Sequence, residues 1–461
     1  MTSTTVASTN DQDTYPSIGS ASYCLGLLFT AYILSFIDRQ ILSLLVGPIR
    51  ADFGISDFEY SLLAGAAFAV LYAIAGLPLG RLADRYSRRL IVSGSVFFWS
   101  IMTVTCGLTQ NFSQLFVARM GVGAGEAGLS PPAYSLILDS FRPAHFGYAM
   151  SFYKLGVKIG AGLALVVGGV LYDFYDSLGT IEFALVGVVK PWQATIISVG
   201  APGILLSFFF LTVKEPTRKG LVIRDGKSES QIPLKEVAGY MWERRRTYLC
   251  LLFGSSMMAM AQYGSGAWYP ELFTRNYGLS KSEAGVSFGM IILVSGSVGI
   301  MLAAWCANQL KKRGYQDANV RTMLAASIIA IPFSTIAPLA GTADMTLILL
   351  WPAVMLSGSY LGIMAVSIVE ITPNQMRGQI TAVYIFATSM IGMALGGSIL
   401  AAFTDFLYQD DALLHYSIAT ANVIFYPIAA ALFWYCLPAY RNSMKESESW
   451  RSYGSQSIGS E

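Results

Sequence analysis

Apolar residues in this chain come in runs of 20–28, separated by short polar turns. Runs of that length are too long for core strands and lack the polar stripe of a surface helix. Each can cross a hydrocarbon core of ~30 Å as a single helix. The pattern predicts twelve spans, at 20–47, 58–80, 90–109, 112–138, 147–172, 193–213, 247–273, 283–309, 321–341, 345–370, 377–404 and 415–437. One long polar connection, 214–246, separates spans 1–6 (20–213) from spans 7–12 (247–437). It reads as a linker between two six-helix bundles. Residues 1–19 are polar, rich in Ser and Thr, and free of Lys and Arg. They are expected to form a disordered tail and not a cleaved signal peptide. Residues 438–461 are expected to form a second tail.

Composition agrees with the pattern. Hydrophobic residues make up 54% of the chain and charged residues 13%, against about 25% charged in soluble domains. Cys24, Cys106, Cys250, Cys306 and Cys436 all fall inside apolar runs without metal-ligand spacing. They read as small packing residues. His145 and His415 are far apart, so no metal site or cofactor is expected. The net charge of +2 gives no reason to expect a nucleic-acid partner.

The distribution of charge is more informative than its sum. With both termini on one side, 22 Lys and Arg fall on that side and only Arg50, Lys190, Arg275 and Lys281 on the other. The positive-inside rule then makes the basic side, with both termini, cytoplasmic. The two halves also echo each other. A Pro-led segment opens span 5 (Pro143 to Gly147) and span 11 (Pro373 to Gly378). Each follows an acidic residue, Asp139 or Glu370, and leads to a glycine pair, Gly168–Gly169 or Gly396–Gly397. Two related halves are the sequence trace of a carrier that rocks one bundle against the other.

The string GRLADRYSRR, Gly80–Arg89, joins spans 2 and 3. It resembles the signature loop of the major facilitator superfamily, with Ser87 in place of that pattern's second glycine. The resemblance implies an all-α integral membrane fold of twelve helices in two pseudo-symmetric bundles. It also implies a cytoplasmic gate in which Gly80, Asp84, Arg85 and Arg88 latch the halves together. The matching loop of the second half, Ala307–Gly314, keeps Lys311, Lys312 and Arg313 but has no aspartate.

Further strings narrow the resemblance. They are Asp38-Arg39 in span 1, Ile55-Ser56-Asp57 before span 2, Arg119 to Pro131 in span 4, and Trp268-Tyr269-Pro270 in span 7. Together they resemble the Spinster group, which implies transport of lysophospholipids or phosphorylated sphingoid bases. Asp-Arg in span 1 and Gly-Glu-Ala in span 4 also occur in the superfamily's anion:cation symporters. Gly156, Gly160 and Gly162 resemble the antiporter motif of span 5, but Ala161 stands where that motif has proline.

Charges at membrane depth are costly and usually face a cavity or a partner. Asp38, Arg39, Arg119 and Glu126 are the main candidates, with Lys154 and Lys158 in span 5. Counting from the helix ends places Arg119 level with Asp38. Glu126 lies seven residues further along span 4, ~10 Å deeper at 1.5 Å per residue. Arg119 is therefore expected to meet Asp38. Arg39 and Arg119 suit an oxyanion, since a guanidinium forks onto it. Asp38 and Glu126 suit proton coupling, because a carboxylate that takes a proton releases its arginine. A buried ion-pair network that only holds spans 1 and 4 together is the alternative. Lys158, with Tyr263 and Trp268 of span 7, completes the expected substrate site, while Glu271 reads as part of an interfacial aromatic belt. Gly121, Gly123, Gly125 and Gly128 narrow span 4 for close packing, and Pro131-Pro132 allow it to bend.

The leading expectation is a monomeric, proton-coupled carrier of an amphiphilic anionic lipid in a bacterial inner membrane. A symporter of small organic anions is the alternative. A membrane enzyme is disfavoured, since no Ser-His or His-Asp arrangement lies near a membrane face. A non-transporting receptor on the same fold would bind ligand without uptake.

Overall fold

A computed structural model describes residues 15–183, 187–218, 234–373 and 376–456. Most of the expected first tail and the middle of the 214–246 connection lie outside the described residues. Among the described residues, ten segments are long and apolar enough to cross a membrane by length and composition. Two more, Phe112–Ser140 and Arg245–Tyr277, complete the twelve. Both carry polar residues that face protein: Arg119 and Glu126 in the first, and Ser255, Ser256 and Glu271 in the second, are all buried.

Few of the spans are simple rods. Span 1 is an α-helix over Ile18–Gln40, with Ser17 accepting the Ser20 N–H at its start. Directly after Asp38 and Arg39 it tightens into a 3₁₀ turn, Ile41–Leu44, before a short helix at Val46–Phe53. Span 2 opens at Asp57–Ser61 with a capping box between Ser56 and Glu59, widens at Leu62–Ala66 into a π-turn, and continues as Ala67–Arg85. Span 3 is Arg88–Cys106. Span 4 is two helices, Phe112–Glu126 and Ser130–Ser140. Pro131 and Pro132 cannot donate to the preceding turn, so the first helix stops and a second starts on the prolines.

Span 5 runs 36 residues, Pro143–Leu178, beyond both ends expected from hydropathy. A hairpin that periodicity did not reveal, Ile181–Phe183 paired with Gly187–Val189, joins it to span 6 at Pro191–Phe210. In the second half, spans 7, 8 and 9 are Arg245–Tyr277, Lys281–Lys312 and Ala318–Ile336. Span 10 breaks between Ala343–Ser357 and Tyr360–Ile371, as span 4 does in the first half. Span 11 is Arg377–Ala402 followed by a π-turn, and span 12 is Leu414–Gln456. The last helix thus carries on through most of the expected tail. A short helix, Leu234–Glu243, precedes span 7.

The halves meet along spans 5 and 8, where glycine permits backbone contact. A Cβ on Gly285 would lie 2.1 Å from the Leu165 carbonyl, one on Gly169 2.4 Å from the Lys281 carbonyl, and one on Gly289 2.8 Å from the Gly162 carbonyl. Small residues at such crossings let dispersion and backbone dipoles act at short range. Gly162, which the antiporter motif would claim, has this packing role here.

Candidate functional site

The charged residues of spans 1 and 4 come together in the core of the first half. Asp38, Arg119 and Glu126 are 2%, 2% and 1% exposed. Glu126 is the last residue of its helix, so its carboxylate faces the negative end of the helix dipole and requires cationic support. Arg39 supplies it: Nε and Nη2 each lie 2.6 Å from Glu126 Oε2. Ser35 donates to the same oxygen at 2.6 Å, while Oε1 has no partner among the described residues. The Arg39 guanidinium is also flanked by rings, 4.6 Å from the Phe68 centroid, 4.9 Å from Phe36 and 5.0 Å from Tyr72.

The expected pairing of Arg119 with the Asp38 carboxylate is not formed. Arg119 Nη1 donates to the Asp38 carbonyl at 3.2 Å, leaving Nε and Nη2 without partners among the described residues. The Asp38 carboxylate turns to span 3 and accepts from Thr103 at 3.2 Å. Successive residues on a helix point about 100° apart, so Asp38 and Arg39 cannot both face span 4. Arg39 takes that direction.

Two adjoining cavities lie between the halves. The first, about 80 Å³, is lined by Arg39, Gln40, Arg119, Tyr60, Tyr263 and Trp268. The second, about 120 Å³, is mostly apolar, with Lys158, Gln262, Tyr269 and Tyr426 among its walls. Phe36, Gln40 and Tyr263 line both. The five residues expected to bind substrate are thus grouped, Arg39, Arg119 and Trp268 on one side of Tyr263 and Lys158 on the other. The Trp268 indole donates to the Gly397 carbonyl at 3.0 Å, which fixes its ring. Asp38 and Glu126 line neither cavity and sit behind the arginines. Lys154 is exposed and donates to the Tyr134 hydroxyl.

At the basic ends, Arg88 is buried and joined to Asp139 at the end of span 4. It also donates to Ser135 at 2.7 Å, to the Pro216 carbonyl at 2.7 Å, and through Nε to Glu215 at 3.2 Å. These partners all belong to the first half or to the segment just after it. Arg85 is exposed, a Cβ on Gly80 would meet only Pro131 at 4.0 Å, and the Asp84 side chain lies outside the described residues. In the second half Lys311 pairs with Glu370, which also accepts from Asn319 at 2.7 Å and Tyr440 at 2.9 Å. The counterpart of the Arg88–Asp139 pair is therefore built on a span 10 glutamate, without an aspartate in the loop.

Burial raises the Glu215 carboxyl, but hydrogen bonds from Ser87 and from the Arg88 backbone and side chain outweigh it and hold the group below its ordinary value of 4.5. A depressed carboxylate stabilises the fold above its unfolded value and loses that contribution as pH falls through its folded value. The clasp on residues 215–216 should thus be intact at neutral pH and open only below about pH 4.5. Glu215→Gln should open it at pH 7, seen as faster limited proteolysis of the 214–246 connection. Equal cleavage rates in both proteins would exclude the clasp.

The side opposite the basic ends holds a network that the sequence reading missed. Arg275 of span 7 forks onto Asp57 of span 2 at 2.7 and 2.9 Å. Arg50 bridges Asp57 and Asp411, both at 2.9 Å. The Phe58 N–H donates to Asp405 at 2.7 Å, and the Gly47 N–H to Glu271 at 3.2 Å. Glu271, expected in an aromatic belt, is buried and bound by Arg275 at 3.2 Å and Lys281 at 3.1 Å. Every contact from Asp57, Arg50, Phe58 and Gly47 to the second half ties the bundles together on this side. The signal was present: Arg50, Lys190, Arg275 and Lys281, the cations on the poorly basic side, each pair with a carboxylate.

The chain matches the Major Facilitator Superfamily model over residues 28–397 and belongs to that family. It is a membrane transporter of that fold. It is similar to an MFS-type efflux pump of Mycolicibacterium smegmatis, 24% identical over 84% of this chain and 85% of that one. It is also similar to a probable L-galactonate transporter of Escherichia coli, 27% identical over 70% of each chain. Among solved structures it resembles a bacterial homologue of the human lysosomal transporter Spinster, inward-facing and unoccupied. That match has a TM-score of 0.79 and 27% identity, and covers 93% of this chain and 99% of that one.

Proposed function

We propose that this chain is a proton-coupled carrier of an amphiphilic anion. The observation that carries the reading is the pair of cavities joined at Tyr263, one edged by Arg39 and Arg119 and the other apolar with Lys158 in its wall. An anionic headgroup fits the arginines, and an alkyl chain fits the apolar side. In the resting state Glu126 occupies Arg39. A proton arriving on the unpartnered Oε1 neutralises the carboxylate and frees the guanidinium to fork onto an oxyanion. Asp38 is the second proton site, adjacent in the chain and facing span 3. The sealed side is the outer one, the basic side is cytoplasmic, and the state is inward-facing. The protein works as a monomer in a bacterial cell membrane. The likeness to a sphingosine-1-phosphate transporter of Danio rerio, 25% identical over 60% of this chain and 55% of that one, supports the lipid class.

One observation favours a second reading, transport of small organic anions. The cavities measure about 120 and 80 Å³, enough for a compact acid without rearrangement, whereas a lipid chain requires the apolar side to open. The likeness to a galactonate transporter points the same way.

Binding of a lysophospholipid, a sphingoid phosphate and galactonate to the purified protein at pH 5.5 and 7.5 separates the two. Lipid binding that changes with pH is expected. Binding confined to galactonate would replace the lipid reading with the organic-anion one.

A further inference from the structure

We propose that Arg246, Arg321 and Arg441 form a binding site for the phosphate of an anionic phospholipid, on the membrane-facing surface at the basic end of the second half. The three residues come from spans 7, 9 and 12 and line one cleft of about 310 Å³, whose other walls include Trp434, Tyr435 and Pro438.

The cleft is held in shape by its own contacts. The Arg246 guanidinium lies 3.9 Å from the Tyr435 ring centroid and donates through Nη2 to the Tyr435 carbonyl at 3.2 Å. Arg321 and Arg441 share the buried Asp317, each through Nε, at 2.6 and 2.8 Å. Arg321 does so by a hydrogen bond and Arg441 as an ion pair, and the shared carboxylate holds the two guanidinium groups next to each other. Three guanidinium charges therefore face one carboxylate. The balance left over suits a phosphate diester, which a guanidinium binds with two parallel hydrogen bonds.

The walls indicate a lipid and not a soluble anion. Trp434 and Tyr435 are 69% and 56% exposed, at the end of a membrane span where amphipathic rings mark the interface. Basic clefts between transmembrane helices at this level suit anionic headgroups. Arg88, Lys311 and Arg244 at this end each have a carboxylate partner, Asp139 and Glu215, Glu370, and Glu446 and Glu243 respectively, whereas Arg321 and Arg441 of the cleft share Asp317. A lipid held here would tie span 7 to spans 9 and 12 and brace the second half while the first one moves.

The test uses the full chain, purified in a phosphatidylcholine environment and titrated with phosphatidylglycerol, with thermal stability as the readout. A saturable rise in Tm is expected. Arg246→Gln and Arg441→Gln, each of which leaves Asp317 with a partner, should weaken the apparent affinity by about fivefold per arginine. Arg119→Gln, in the transport cavity, should leave it unchanged. The proposal is overturned if neither variant shifts the titration, or if inorganic phosphate protects as well as the lipid. It is equally overturned if Arg119→Gln, and not Arg246→Gln, removes the effect, because the lipid would then be reporting on the transport cavity.

Discussion

Glu126→Gln is expected to give a folded carrier that binds substrate but no longer concentrates it against a pH gradient. Glutamine keeps an oxygen for Ser35 and Arg39, so the packing between spans 1 and 4 persists, but it cannot exchange a proton. With one proton moved per anion, each pH unit of gradient is worth about tenfold in accumulation. Imposing two pH units on proteoliposomes should therefore separate wild type from variant by about a hundredfold. The substitution leaves Arg39 without a charged partner, and breaking a buried pair costs about 3–5 kcal/mol when nothing replaces it. Here the cost is reduced, because Arg39 borders a cavity and is flanked by three aromatic rings. A monodisperse variant whose uptake keeps its full pH dependence would remove Glu126 from coupling and leave the buried ion pair as architecture.

The arrangement of this site was partly legible in the chain. Charges at membrane depth are rare enough that Asp38, Arg39, Arg119 and Glu126 stand out, and counting along each helix gives their depth. Counting does not give azimuth. Which of Asp38 and Arg39 faces span 4 depends on how span 1 rotates against its neighbours, and that is decided by packing over the whole bundle. The expected Asp38–Arg119 pair failed for this reason. The division of span 4 was readable from Pro131-Pro132, because proline acts locally. The division of span 10 carries no proline at the break itself and was not readable. The hairpin at Ile181–Val189 escaped because its strands are three residues each, too short to show a period.

Arg275→Gln should shift the carrier toward a state open on the side opposite its basic ends. Arg275 makes two hydrogen bonds to Asp57 across the halves, a third to Glu271 within its own span and a fourth to the Asp411 carbonyl. Coupling energies for close interfacial charge pairs run from about 1.5 to 7 kcal/mol. Losing even about 2 kcal/mol moves a two-state equilibrium by about thirtyfold. Spin labels at Ser177 and Asp410, exposed ends of the two halves on this side, report the change as a longer distance population. The native cysteines are buried or half-buried, so the introduced sites label preferentially. Asp57→Asn removes the same contact from the other half and should open the protein in the same sense. The charge swap Asp57→Arg with Arg275→Asp remakes the pair with its ends exchanged but sets like charges at Arg50 and Glu271, so partial closing is expected. If both single variants keep the wild-type distances, the Arg275–Asp57 pair is not a latch and the remaining contacts between the halves, with the spans 5 and 8 glycine crossing, hold this side shut. If the singles open but the swap stays open, Arg50 and Asp411, which share Asp57 with Arg275, set the geometry and charge alone does not.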